Sequence, residues 1–134
     1  MMKGIIDYLI GPSNGASKLR DTFVFKIVPM INADGVINGN TRCSLAGVDL
    51  NRVWMDPSPK LHPTVYNLKK LISEFSKERE LFLFCDLHGH SRKKNMFMYG
   101  NGEKNDTRYR ERIFPYMLEK KAETFDFSDC SFSV

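Results

Sequence analysis

Asp86, His88 and His90 leave a single apolar run at alternate positions, so if the run is a strand all three point to one face. Imidazoles in that position could ligate a metal, exchange a proton with a substrate, or simply cap the loop through hydrogen bonds. A second group, Arg42, Asp49, Asn51 and Arg52, falls within eleven residues. An Asn-Arg pair suits a carboxylate, because the guanidinium offers two parallel donors and the amide a third. Arginine stays charged at any working pH, so it also suits an oxygen that gains charge during a reaction. Each group has a plainer alternative. The histidines could be satisfied structural groups at a strand end, and the loop could be a surface segment whose arginines pair with Asp49 or Asp56.

The elements that would have to position these residues can be read from periodicity. Ile5, Ile6, Leu9 and Ile10 share one face of a short helix over residues 4–10, and residues 11–15 break it with Gly and Pro. Residues 22–30 form a β-branched and aromatic run, the pattern of a buried strand. Residues 32–59 then form a loop of nearly thirty residues, too long for a passive connector. Val65, Leu68, Leu71, Ile72 and Phe75 make a helical stripe with Pro63 suited to the first turn. A second buried strand is expected over residues 81–87, a third over 95–99, and a last helix over 115–123.

Strand, helix, strand at this spacing predicts a parallel βαβ unit, and hence an α/β fold: a mixed sheet with flanking helices. Ligands of open α/β sheets bind beyond the carboxyl ends of the strands. The long loop after Met30 and the segment 86–91 both leave such ends, so the two polar groups are expected to meet above one sheet edge.

Composition narrows the class. The chain has 134 residues, and its 42% hydrophobic content with ten Phe supplies enough apolar material for a core. That excludes the low-hydrophobicity composition of a disordered chain. No apolar run approaches the length of a membrane span, and the first residues do not read as a signal peptide. Three cysteines without a CxxC pair speak against a disulfide framework and fit a reducing, cytoplasmic setting. The formal charge is +4, but residues 91–121 alone carry nine Lys/Arg against four Asp/Glu. That stretch could attract an acidic polypeptide, a phosphate or a nucleic acid, or be only a solvated face. The aromatics are too few and too irregular for a base-stacking platform, so no nucleic-acid partner is expected.

Two ordered runs carry a family resemblance. Asn32-Ala33-Asp34-Gly35, then residues 39–47, then Asp49-Leu50-Asn51-Arg52-Val53-Trp54 resemble the zinc carboxypeptidases of the cytosolic carboxypeptidase branch. Phe84-Cys85-Asp86-Leu87-His88-Gly89-His90-Ser91-Arg92-Lys93-Lys94-Asn95 resembles the same branch. The resemblance implies a Zn2+ cofactor and a metallocarboxypeptidase that removes C-terminal residues, glutamates of acidic tails such as tubulin's. It implies that His88 is a zinc ligand, that Asn51 and Arg52 hold the substrate's terminal carboxylate, and that Arg42 stabilises the oxyanion. His90 matches a residue typical of the branch without being a ligand. Arg92, Lys93 and Lys94 agree with an acidic substrate, with Lys93 and Lys94 as exposed rim charges.

Departures from the family pattern set the remaining expectations. No His is followed at the third position by Glu, so the HxxE ligand pair is absent, as is the glutamate that would act as general base. Residues 1–134 are therefore expected to be the central fragment of one catalytic domain, inactive alone. Ala33 stands where Pro is usual, and Val53 where Asn or Gln is usual. Two alternatives remain: a non-catalytic binder of acidic C-terminal tails, and a metal hydrolase using His88 and His90 as a His-x-His pair.

Overall fold

The computed structural model describes residues 1–102 and 108–133, which fall into two units, Met1–Leu87 and His88–Val134. The division lies inside the apolar run around residues 80–90, where no Pro- or Gly-rich linker marks it.

The first unit opens with a helical hairpin. α1 (Met2–Ile10) extends the expected helix by two residues at its start, and its Leu9 is buried. α2 (Asn14–Thr22) fills the gap between the break at residues 11–15 and the run at 22–30, where the sequence reading assigns no element. Its signal is a cap rather than a stripe. The Ser13 hydroxyl accepts from the Ala16 amide at 3.1 Å, satisfying one of the orphan donors at the helix start. Ala16 is fully buried, and Arg20 donates to the carbonyls of Leu9 and Gly11, placing a cation at the carboxyl end of α1.

α3 (Ala33–Ile37) is a short helix capped by Asn32, whose side-chain oxygen accepts from Gly35 N. The Asn32 amide nitrogen donates to Cys43 O at 3.1 Å, so one side chain starts the helix and ties it to the loop eleven residues on. Gly35 is needed there, because a Cβ would lie 2.5 Å from Cys43 O. α4 (Pro63–Glu78) matches the predicted stripe, with Pro63 in the first turn and Val65 fully buried. Burying that side chain contributes about 2 kcal/mol.

Residues 23–30 and 80–90 lie outside the helices but form no β-ladder with each other, so the parallel strand pair expected from these two runs is not the one that forms. They do approach: the Phe23 and Phe82 rings lie 4.8 Å apart, Lys26 Nζ sits 4.2 Å over the Phe75 ring of α4, and Trp54 meets Phe84 edge-on. An all-apolar strand is stable when both faces are covered. Here the consecutive residues Phe82 (72% exposed) and Leu83 (60%) leave both faces open, and the run packs by side chains alone.

The second unit contains the parallel pairing. β1 (Tyr99–Asn101) and β2 (Ser131–Ser133) run parallel in the register Tyr99↔Ser131, Gly100↔Phe132, Asn101↔Ser133. Between them lies α5 (Ile113–Glu119), shorter than the helix expected over residues 115–123. This strand–helix–strand crossover makes the chain α/β, with flanking helices and a small parallel sheet, at a different place from the one expected. The alignment begins upstream, where Met96 N donates to Thr124 O and Asp126 N to Met96 O. Gly100 admits the Phe132 ring, which would lie 2.9 Å from a Cβ at that position. Phe125 is buried, and Phe127 meets both Tyr116 and Phe132.

Candidate functional site

The arginine loop is built by short side chains that bond backbone. Asn40 Oδ1 accepts from the amides of Arg42 (2.9 Å) and Cys43 (2.7 Å), fixing the direction in which Arg42 leaves the chain. Ser44 N donates to Val48 O at 2.9 Å and Cys43 pairs with Asp49 in an antiparallel bridge. Asp49 is thereby placed at the head of a single 3-10 turn, Leu50–Arg52.

Asp49 then does two things with one carboxylate. Its Oδ1 accepts from Asn51 N at 2.9 Å, capping the turn, and its Oδ2 lies 2.8 Å from an Arg42 guanidinium nitrogen. The hydrogen bond from Asn51 holds the carboxyl below the usual aspartate range, with the nearby charges of Arg42 and Arg52 adding to it. The pairing of Arg42 with Asp49 is the plainer alternative raised by the sequence, and for that arginine it is realised. Asn51 and Arg52 are exposed neighbours, and among the described residues the one hydrogen bond of the Arg52 side chain is a long one, 3.4 Å, to Asn51 O. Among the described residues the Asn51 side-chain amide makes no hydrogen bond, so both groups present free donors.

Asp49 is the residue whose importance sequence reasoning understated. An acidic residue two positions before Asn51 is a capping signal, readable once the turn is suspected. Because a lowered carboxyl pKa stabilises the folded loop only while the group is ionised, that contribution is present above the ordinary aspartate value. It is lost as pH falls through the depressed one. Melting curves of the intact protein and of Asp49→Asn, taken from about pH 5 to about pH 2, are expected to converge at the acid end. Parallel curves with a constant gap would show that the carboxylate's charge does not stabilise the turn.

The loop's other end is held by α4, where Lys69 Nζ donates to the carbonyls of Trp54 (2.6 Å) and Met55 (3.0 Å). A cleft of about 340 Å³ opens between the loop and the start of α4, lined by Asn32, Ser44, Leu50 and His62 among others. None of Arg42, Asn51 and Arg52 lines it.

His88 is exposed and opens the second unit. His90 is committed to structure: its Nδ1 accepts from the amides of Arg92 (3.2 Å) and Lys93 (2.9 Å), and its ring sits edge-on to Phe97 and Tyr99. Of the uses the sequence allowed for this residue, the capping one is realised. Lys93 corrects a further expectation. It is not a rim charge: its Nζ donates to Asp129 O at 2.5 Å and lies 3.3 Å from Asp129 Oδ1.

A catalytic zinc site takes three protein ligands and keeps a position open for water. Among the described residues no three His, Cys, Asp or Glu side chains come together to hold a metal, so His88 stands as a single candidate ligand. These residues by themselves do not compose a zinc centre. The cysteine thiols at 43, 85 and 130 are unpaired, and burial with the charge of Asp86 pushes the Cys85 thiol up.

Comparison with known proteins gives a consistent picture. Residues 1–126 match the zinc carboxypeptidase family model. The whole chain is 49% identical to cytosolic carboxypeptidase 3 of Mus musculus and spans 14% of its length. It is 49% identical to cytosolic carboxypeptidase 2 of Xenopus tropicalis, again over 14% of that protein. It is 47% identical to cytosolic carboxypeptidase 1 of Homo sapiens, of which it spans 12%.

Proposed function

The chain belongs to the zinc carboxypeptidase family, and from that premise we propose that the protein containing it is a metallocarboxypeptidase removing C-terminal residues. Its substrates are acidic protein tails, with glutamates such as those of tubulin as the residues released. Residues 1–134 are the central portion of the catalytic domain, inactive alone. The cell compartment in this reading is the cytoplasm, because the relatives are named cytosolic.

The observation that supports this reading is the turn capped by Asp49. It presents Asn51 and Arg52 side by side and exposed, with Arg52 held by one long bond to Asn51 O, and a terminal carboxylate needs such paired donors. Arg42, set by Asn40 and Asp49 a few residues away, is the group for the oxyanion of the tetrahedral intermediate. His88 contributes one zinc ligand, with the other two supplied from outside residues 1–134. The His-x-His alternative is disfavoured, because the Nδ1 of His90 already receives two backbone amides.

The test is steady-state kinetics of the intact protein on a glutamate-tailed peptide and on the same peptide with an amidated C-terminus. The free acid is expected to be cleaved and the amide not. Equal cleavage of both removes the carboxylate clamp and the assignment with it.

A further inference from the structure

Three consecutive cations, Arg92, Lys93 and Lys94, follow His88 within six residues, and the structure sorts them by direction. Lys93 turns inward. Its ammonium joins Asp129, 36 residues away, and lies 4.8 Å over the Phe97 ring and 5.7 Å over the Tyr99 ring, with its side chain 32% exposed. Its charge is offset by Asp129 and its donors are engaged. Arg92 and Lys94 are exposed, and among the described residues their side chains make no ion pair or hydrogen bond. The net field of this turn therefore comes from those two.

The turn is also braced from within. His90 Nδ1 receives the amides of both Arg92 and Lys93, the His90 ring packs on Phe97 and Tyr99, and Asn95 reverses the chain at φ 61°. Asn tolerates that conformation better than most residues. Two cations held outward on a fixed backbone lose less freedom on meeting an anion than cations on a loose loop.

We propose that Lys93 is the fastener of this turn, and that Arg92 and Lys94 form a docking ledge for side-chain carboxylates of an acidic polypeptide. Of the two rings under Lys93, Phe97 is half-buried and Tyr99 is exposed, and one exposed ring is not a platform for successive stacked bases, which favours a peptide over a nucleic acid. The partner's class rests on the carboxypeptidase reading. The ledge recognises side chains rather than the chain end.

The experiment measures binding of a glutamate-rich peptide with an amidated C-terminus to the intact protein, at low and at physiological salt. Amidation silences the terminal-carboxylate clamp, so ledge and clamp are read separately. Arg92→Glu combined with Lys94→Glu is expected to weaken binding roughly tenfold at low salt, with the difference shrinking as salt rises, and to leave the melting temperature unchanged. Lys93→Met is expected to lower the melting temperature and leave the salt dependence of the folded protein as it was. No loss in the outward double variant overturns the proposal, as does a change of salt dependence in Lys93→Met equal to that of the pair. An oligonucleotide of matching charge that binds more tightly and loses as much in the double variant overturns the choice of partner. If amidated and free peptides are cleaved alike while the ledge still binds, the functional reading fails and the ledge stands.

Discussion

Arg52→Ala in the intact protein is expected to lower kcat/KM on a free-acid glutamate-tailed peptide by roughly 30-fold to several-thousand-fold. Losing one side of a desolvated, hydrogen-bonded charge pair costs about 2–5 kcal/mol. The structure makes the test clean on the protein's side. Arg52 gives up only one long bond, to Asn51 O, so its removal should disturb the turn little. The turn is held instead by Asp49 through the Asn51 amide, and that bond survives the substitution. Arg52→Lys should recover charge but not the paired donors, and so rescue only part of the loss. On the amidated peptide the variant and the wild type should differ little. If Arg52→Ala costs no more than reversal of Arg92 and Lys94, the terminal carboxylate is held elsewhere.

The second large effect is expected at Arg42. An oxyanion donor acts on charge that exists only in the transition state, so Arg42→Ala should lower kcat by about 10²–10³-fold with little change in KM. Arg42 also holds Asp49, and this complicates a naive reading. Removing the guanidinium frees Asp49 Oδ2 and so loosens the carboxylate whose other oxygen, Oδ1, caps the Asn51 turn. Asp49→Asn supplies the control, since it releases Arg42 while keeping an acceptor for the Asn51 amide. A pure oxyanion role predicts a kcat loss in Arg42→Ala much larger than in Asp49→Asn. Equal losses, accompanied by a rise in KM, would instead mean that Arg42 serves the clamp by positioning Asp49.

Several features were legible because their causes are local. The stripe from Val65 to Phe75 with Pro63 ahead of it could hardly be other than a helix, and α4 follows it closely. The short helix at the start was readable from four apolar residues on one face. The family could be recognised because its motifs are runs of specific residues, and these survive without any knowledge of packing. The charge of residues 91–121 was equally plain, but only as a sum.

What tertiary structure decided is everything that depends on a distant partner. α2 has no apolar stripe strong enough to announce it, and exists through the Ser13 cap and the burial of Ala16 against its neighbour helix. The runs at 23–30 and 81–87 have every local mark of strands, yet a ladder needs aligned backbone on a neighbour, and here the rings meet without it. The parallel pair forms instead from two three-residue strands whose sequences, Tyr-Gly-Asn and Ser-Phe-Ser, carry little strand signal. Lys93 looks identical to Lys94 in the sequence; only the arrival of Asp129 from 36 residues away turns one into a fastener and leaves the other exposed. Residue types and spacings thus determined the chemistry on offer in this chain. Which groups remain free to use it was decided by contacts between residues far apart in sequence, which no local pattern encodes.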